Sequence, residues 1–158
     1  MVKEQWYQTN PMLFEAEKKA MKIHYPDANL SYLKDGRAYW EVTLNVKVNE
    51  EIKTYIVMIL YGSNHSRGNS CIACPIKPTM EEILRKAKKL GKNRVPHIWY
   101  NYTDGVKCFD TSESARAKYI ENEVCSAILC ASATLKWLYF YEWGLIDEKI
   151  WDKFTGCG

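Results

Sequence analysis

Apolar residues recur at helical spacing along residues 11–25, close to the start of the chain. Pro11 suits the first turn of a helix, and Pro26 would end it. At this spacing one stripe collects Met12 or Leu13, Ala16, Ala20 and Ile23. The pattern therefore predicts an amphipathic helix with this stripe as its apolar face.

Strict alternation of apolar and polar residues follows a short segment at residues 30–33 and a turn at residues 34–37. The apolar members of the alternation are Ala38, Trp40, Val42, Leu44 and Val46. A half-buried antiparallel strand gives this pattern. The continuous apolar run at residues 55–61 predicts a central strand buried on both faces, and residues 71–76 predict a further short strand.

A capping box formed by Thr79 and Glu82 predicts the start of a second helix, which extends to about Leu90 and ends at Gly91. Residues 85–94, R-K-A-K-K-L-G-K-N-R, carry six positive charges in ten positions. Such a run is typical of a solvated helix face, and the functional alternative is a docking surface for an acidic partner.

The longest predicted helix covers residues 120–143, which contain no Gly or Pro and precede Gly144. Its apolar positions are Val124, Ile128, Ala131, Leu135 and Leu138. We expect the aromatic residues between 137 and 143 to cover more than one helix face and Glu142 to pair locally, and residues 147–154 to form a last short helix. A helix, an antiparallel meander and then helices indicate the α+β fold class, in a single domain over residues 1–158.

The composition favours a soluble cytoplasmic protein: 47% of the residues are apolar, and 22 basic residues face 19 acidic ones. This balance does not call for nucleic acid as a partner. No secretory signal is visible, and the longest clean apolar run is far shorter than the roughly 18 residues of a membrane span. Without a signal peptide, the six cysteines are interpreted as reduced thiols. Neither His24 nor His65 has an evident partner, and both are interpreted as structural or surface residues.

Cys108 is the candidate for chemistry. It is the last residue but one of the segment V-P-H-I-W-Y-N-Y-T-D-G-V-K-C-F, residues 95–109, just beyond an Asp-Gly turn. Its polar neighbours Lys107 and Asp110 suggest an exposed loop margin. A free thiol is intrinsically very nucleophilic, so Cys108 could attack a carbonyl carbon, a reaction that also needs a donor for the tetrahedral oxyanion. His97 or Asn101 could be that donor, or could hold the loop.

Two stretches of the sequence carry a resemblance to a known family. The pattern P-H-I-W, an Asp-Gly turn and a Cys, within residues 95–109, and T-L-K-W-L-Y-F-Y-E-W, at residues 134–143, resemble the bacterial ubiquitin-conjugating-enzyme-like family of antiphage (CBASS-type) operons. Where eukaryotic ubiquitin-conjugating enzymes carry His-Pro-Asn before the cysteine, this chain has Val95, Pro96 and His97.

The resemblance implies a ubiquitin-conjugating-enzyme-like fold with an N-terminal helix, an antiparallel β-meander and C-terminal helices. It implies that Cys108 is the catalytic cysteine of a transferase, which accepts a protein C-terminus as a thioester and passes it to an amine. The expected protein partner is a cGAS-like nucleotidyltransferase or a ubiquitin-like protein, and an adenylating enzyme is a further candidate. We expect no cofactor, no metal and no membrane or nucleic-acid partner.

Two alternatives belong to other functional classes. In the first, the same fold is a non-catalytic protein-interaction module, and Cys108 is a buried apolar residue. In the second, Cys71 and Cys74 are the reactive pair of a thiol-disulfide oxidoreductase, or ligands of a metal. Pro75 and Pro78 oppose the helix that such a dithiol usually precedes.

Overall fold

A computed structural model of the protein describes residues 4–63, 65, 71–102, 106–109 and 126–156. The helices in these ranges are α1 (Trp6–Thr9), α2 (Pro11–His24), α3 (Met80–Lys89), α4 (Ser126–Gly144) and α5 (Glu148–Gly156). The strands are β1 (Asn29–Tyr32), β2 (Ala38–Val48), β3 (Glu51–Tyr61), β4 (Cys71–Lys77), β5 (Ile98–Tyr102) and β6 (Val106–Phe109). The predicted α+β class is confirmed.

The strands form one antiparallel sheet in the order β1-β2-β3-β4-β6-β5. Its centre is the long hairpin of β2 and β3, whose register runs from Tyr39↔Leu60 to Val48↔Glu51. Asn49, with a φ of 56°, makes the turn, as its side chain tolerates a left-handed backbone. The strands predicted at residues 38–46, 55–61 and 71–76 are all confirmed.

The two faces of the sheet carry two separate apolar clusters, because successive side chains of a strand point to opposite faces. Along β3, Val57 and Ile59 belong to the larger cluster, which also receives the buried side chains of the helices. Leu60, between Ile59 and Tyr61, belongs to the smaller one. The larger cluster is therefore the core between sheet and helices, and the smaller cluster lies on the sheet face away from the helices.

Helix α2 has the predicted length, but only part of the predicted apolar stripe faces the core, where Leu13 packs. Met12 and Ile23, from the predicted apolar stripe, are 83% and 68% exposed, whereas Glu17 and Met21 are buried. The prediction missed this buried face because the spacing of apolar residues gives no reason to bury a charged side chain. The Glu17 carboxylate accepts hydrogen bonds from three protein groups, and these bonds allow a charge to occupy the buried face.

Helix α3 begins and ends as the sequence predicts. The Thr79 hydroxyl accepts a hydrogen bond from the Glu82 amide at 3.3 Å, and Gly91, with a φ of 80°, follows the helix. Most of the basic run forms an exposed helix face, as predicted. Lys86 also pairs with a buried acidic residue, because its ammonium lies 3.6 Å from the Glu142 carboxylate.

Helix α4 confirms the predicted main helix from Ser126 onward, whereas Val124 and the rest of residues 120–125 lie outside the described ranges. The prediction that Glu142 pairs locally was wrong. Glu142 is 4% exposed and accepts a hydrogen bond from the hydroxyl of Tyr55, which lies in β3, far away in the sequence. Helix α5 matches the predicted last helix. No helix in the described part of the chain is long and apolar enough to cross a membrane.

Candidate functional site

Cys108 lies in the hairpin formed by β5 and β6. The hairpin register places Ile98 opposite Phe109 and Trp99 opposite Cys108. On its other side, β6 pairs with β4 through Ala73 and Phe109. Cys108 therefore sits inside the sheet, between two neighbouring strands. The Asp-Gly turn expected before it, residues 104 and 105, lies outside the described residues.

The Cys108 side chain is 0% exposed, so the expectation of an exposed loop margin is wrong. The segment around it pairs as a strand, and strand geometry turns the Cys108 side chain away from the helices. There it packs in the smaller apolar cluster with Leu60, Ile72 and Cys74. Buried cysteines in apolar surroundings are inert, because a reactive thiolate needs partial exposure and a positive environment.

Trp137 of α4 connects the two ends of this hairpin. Its indole N–H donates a hydrogen bond to the Pro96 carbonyl oxygen at 3.2 Å. Its ring lies 4.6 Å from the ring of Phe109, the residue after Cys108. The two stretches of sequence that carry the family resemblance, residues 95–109 and 134–143, are thus in direct contact through one side chain.

His97 contacts the helices instead of Cys108. Its Nε2 lies 3.3 Å from the carbonyl oxygen of Phe154 in α5, and the two rings are 5.8 Å apart. A left-handed backbone at His97, with a φ of 56°, gives the ring this direction at the start of β5. Because Phe154 belongs to the core and Cys108 to the opposite face of the sheet, His97 and Cys108 are not brought together.

Asn101 lies in β5, close in sequence to Trp99, which pairs with Cys108. A register irregularity falls between Trp99 and Tyr102, so the hairpin is not regular at Asn101. The position of the Asn101 amide lies outside what the structure describes. Its strand, β5, is one of the two that pair with the strand of Cys108.

Cys71 and Cys74 do not form a pair, although both are buried in β4. Cys71 packs in the core, with its sulfur 3.7 Å from the Ser126 hydroxyl, whereas Cys74 packs in the smaller cluster. Residues three apart in a strand point to opposite faces. This geometry opposes both the dithiol and the shared metal site. In the described ranges, no three His, Cys, Asp or Glu side chains are grouped to hold a metal ion.

A buried polar cluster on the core side was missed by the sequence analysis. Oε1 of Glu17 accepts hydrogen bonds from the Tyr61 hydroxyl at 2.8 Å and the Ser126 hydroxyl at 3.3 Å. The Nε2 of His65, which is 3% exposed, lies 2.9 Å from the Ser126 hydroxyl. Pattern analysis gives no signal for this cluster, because its members come from distant segments and each is common on a surface. The cluster attaches α2 to the start of α4.

The chain matches no known protein family, and no curated protein or solved structure is found to be similar to it.

Proposed function

We propose that the protein is a ubiquitin-conjugating-like transferase that carries a protein C-terminus as a thioester on Cys108 and passes it to an amine. The supporting observation is the contact of Trp137 with both Pro96 and Phe109. This contact joins the only two stretches that resemble the bacterial ubiquitin-conjugating-enzyme-like family. The order of N-terminal helices, antiparallel strands and C-terminal helices also supports the proposal, because the family resemblance implies elements in this order.

In the proposed reaction the Cys108 sulfur attacks an activated carbonyl carbon at a protein C-terminus and expels the activating group. An amine then attacks the thioester carbonyl, and the tetrahedral intermediate collapses with loss of the Cys108 thiolate and of the amine proton. A free carboxylate does not acylate a thiol, so an adenylating enzyme is a proposed partner. The family resemblance suggests a cGAS-like nucleotidyltransferase or a ubiquitin-like protein as the carried chain, in cytoplasmic antiphage defence.

We assign different roles to His97 and Asn101, which the sequence alone did not distinguish. His97, which contacts Phe154, is proposed to hold the start of the hairpin. Asn101, on the strand next to Cys108, remains the proposed oxyanion donor. Only the role proposed for Asn101 requires contact with the reacting carbonyl.

Burial of Cys108 has a consequence for this proposal. A sulfur that is 0% exposed cannot meet a protein C-terminus, so the transferase must react from a conformation in which the smaller apolar cluster opens. The second candidate, a non-catalytic protein-interaction module of the same fold, is favoured by this same burial. In that case Cys108 is part of the packing, and its chemistry is not used.

Alkylation of the individual thiols separates these two functions. The native protein would be treated with iodoacetamide, and labelling of each cysteine would be followed by peptide mass spectrometry. The transferase predicts that Cys108 is labelled faster than Cys130, a core thiol that is 1% exposed, and that Cys74 is labelled with Cys108 because they share one cluster. Equal, slow labelling of Cys108 and Cys130 would support the interaction module.

A further inference from the structure

Cys74 and Cys108 are neighbours across two strands. The antiparallel register of β4 and β6 places Ala73 opposite Phe109, so the next position along β4, Cys74, comes opposite the preceding position of β6, Cys108. Both side chains pack in the smaller apolar cluster, which places them on the same face of the sheet. Directly opposed residues of antiparallel strands have Cα atoms about 4.5–5.5 Å apart. A disulfide spans about 4.4–6.8 Å between Cα atoms, so these two positions fit one.

We propose that Cys74 and Cys108 form a reversible disulfide when the protein meets a peroxide oxidant. The other thiols of the described residues are unsuited to this bond. Cys71 points to the opposite face of β4, towards Ser126, and Cys130 lies in the core on α4. Among the cysteines that the structure describes, the neighbour of Cys108 is therefore Cys74. The pair that the strand register favours is Cys74 with Cys108, in place of the Cys71–Cys74 pair that the sequence spacing suggests.

The chemistry is a two-electron oxidation. The Cys108 sulfur attacks one oxygen of hydrogen peroxide, the O–O bond breaks, and Cys108 becomes a sulfenic acid while one water is released. The Cys74 sulfur then attacks the Cys108 sulfur, a second water leaves, and the S–S bond forms. In total, two thiols and one hydrogen peroxide give one disulfide and two water molecules, and a dithiol such as dithiothreitol reverses the bond.

The cytoplasm, which is the proposed location of the protein, is a reducing compartment. Disulfides there are usually transient and are used for catalysis or sensing. Access to both thiols requires the same opening of the apolar cluster that acyl transfer requires, because Cys74 and Cys108 are 3% and 0% exposed. After the cluster closes, the bond is shielded from solvent. Its lifetime then depends on how often the cluster opens.

The functional consequence of this disulfide rests on the proposed transferase. When the Cys108 sulfur is bonded to Cys74, no free thiol is left at Cys108 to accept a protein C-terminus. Oxidation therefore stops thioester formation. A sulfenic acid that is trapped as a disulfide also escapes irreversible oxidation to the sulfinic acid. Cys74 therefore both switches the site off and protects it.

The test treats the full chain with hydrogen peroxide, blocks the remaining thiols with N-ethylmaleimide and maps disulfides by mass spectrometry. The expected result is a Cys74–Cys108 bond in the wild type that dithiothreitol reverses. Cys74→Ala abolishes the bond and leaves Cys108 as sulfinic acid. Cys71→Ala is the matched control on the same strand, and it retains the bond.

Three results would overturn the disulfide: a mapped bond that joins Cys71 to either residue, sulfinic acid at Cys108 while Cys74 is present, or no bond under peroxide that fully oxidises glutathione. If the Cys74→Ala protein does not fold, the disulfide map of the wild type is by itself enough to test the proposal. The assay needs no carried protein, so its outcome is distinct from that of the transferase. A disulfide without thioester activity would contradict only the proposed function, and thioester activity without a disulfide would contradict only this inference.

Discussion

The ring of Trp137 packs 4.6 Å from the ring of Phe109, next to Cys108 in the chain. The indole N–H of the same residue donates to the Pro96 carbonyl oxygen at the start of the hairpin. One side chain of α4, only 5% exposed, thus holds both ends of the segment that carries Cys108. The position of the thiol consequently depends on α4 as well as on the sheet.

Replacement of Trp137 by Phe keeps an aromatic ring in the core but removes the indole N–H. The Pro96 carbonyl loses this donor, so we expect the free energy of unfolding to fall by about 1–3 kcal/mol. Urea unfolding followed by circular dichroism measures the change. Trp143→Phe is the control, because Trp143 donates to the Lys47 carbonyl oxygen at 3.1 Å from a more exposed position. Equal losses in the two variants would contradict a special role for Trp137.

Replacement of Glu17 by Gln tests the buried polar cluster. The Glu17 carboxylate accepts from the Tyr61 hydroxyl, the Ser126 hydroxyl and the Ala127 amide. Hydrogen bonds to a charged group contribute about 1.5–3 kcal/mol each, so we expect the neutral amide to lower the free energy of unfolding by about 2 kcal/mol or more.

Glu15→Gln on the same helix is the matched control for this variant. Glu15 is exposed and pairs only with Lys18 among the described residues, at 2.6 Å. Exposed ion pairs contribute about 0–1 kcal/mol, and the expected change in urea unfolding is correspondingly small. A Glu17→Gln protein as stable as Glu15→Gln would show that the cluster does not hold α2.

Gly144 is the last residue of α4 and has no room for a side chain. A Cβ at this position would lie 2.8 Å from Cε3 of Trp151 and 3.2 Å from its Cα. Helix α5 would have to shift, so Gly144→Ala is expected to reduce the free energy of unfolding by about 1–3 kcal/mol. Gly156→Ala at the end of α5 meets nothing within 4 Å and is expected to be neutral or slightly stabilising. Comparison of the two unfolding curves checks this, and a Gly144→Ala protein of wild-type stability would contradict the close approach of α5.

We expect Tyr55 to make the free energy of unfolding depend on pH in the alkaline range. Burial, together with the hydrogen bond to the Glu142 carboxylate, raises the pKa of Tyr55 above its ordinary value. The unfolded chain therefore releases this proton first, and the contribution of Tyr55 to stability is complete below about pH 10 and is lost above it. The loss has a slope of up to about 1.4 kcal/mol per pH unit.

Urea unfolding at a series of pH values above 9 measures this slope. Tyr55→Phe should decline less steeply than the wild type, whatever its absolute stability. Tyr139→Phe, which alters a tyrosine that is 47% exposed on α4, should keep the wild-type slope. An unchanged slope in Tyr55→Phe would mean that its hydroxyl is not buried against Glu142.

The sequence predicts the elements better than their buried faces. Alternation defined β2 and the capping box defined α3, because in both cases a local pattern reports a local structure. In α2 the charged residue Glu17 is buried, and partners more than forty positions away, Tyr61 and Ser126, make its burial possible. No local pattern contains such information.

The candidate site shows the same limit. The sequence singled out Cys108, but the turn beside it suggested exposure, and the spacing of Cys71 and Cys74 suggested a pair. The strand register contradicts both expectations. It buries Cys108, and it places Cys74 beside Cys108 instead of beside Cys71. Register depends on contacts between β4 and β6, which are separated by α3 and β5 in the sequence.

The central claim is that Cys108 carries a protein C-terminus, and the direct measurement is recovery of the covalent adduct from cells. The protein would be isolated in acid, separated without reductant, and its adduct identified by mass spectrometry. We expect an adduct on Cys108 that is stable in acid and is released by thiol reagents, present in Cys71→Ala and absent in Cys108→Ala. A thiol-sensitive adduct with the same partner that persists in Cys108→Ala would contradict the claim.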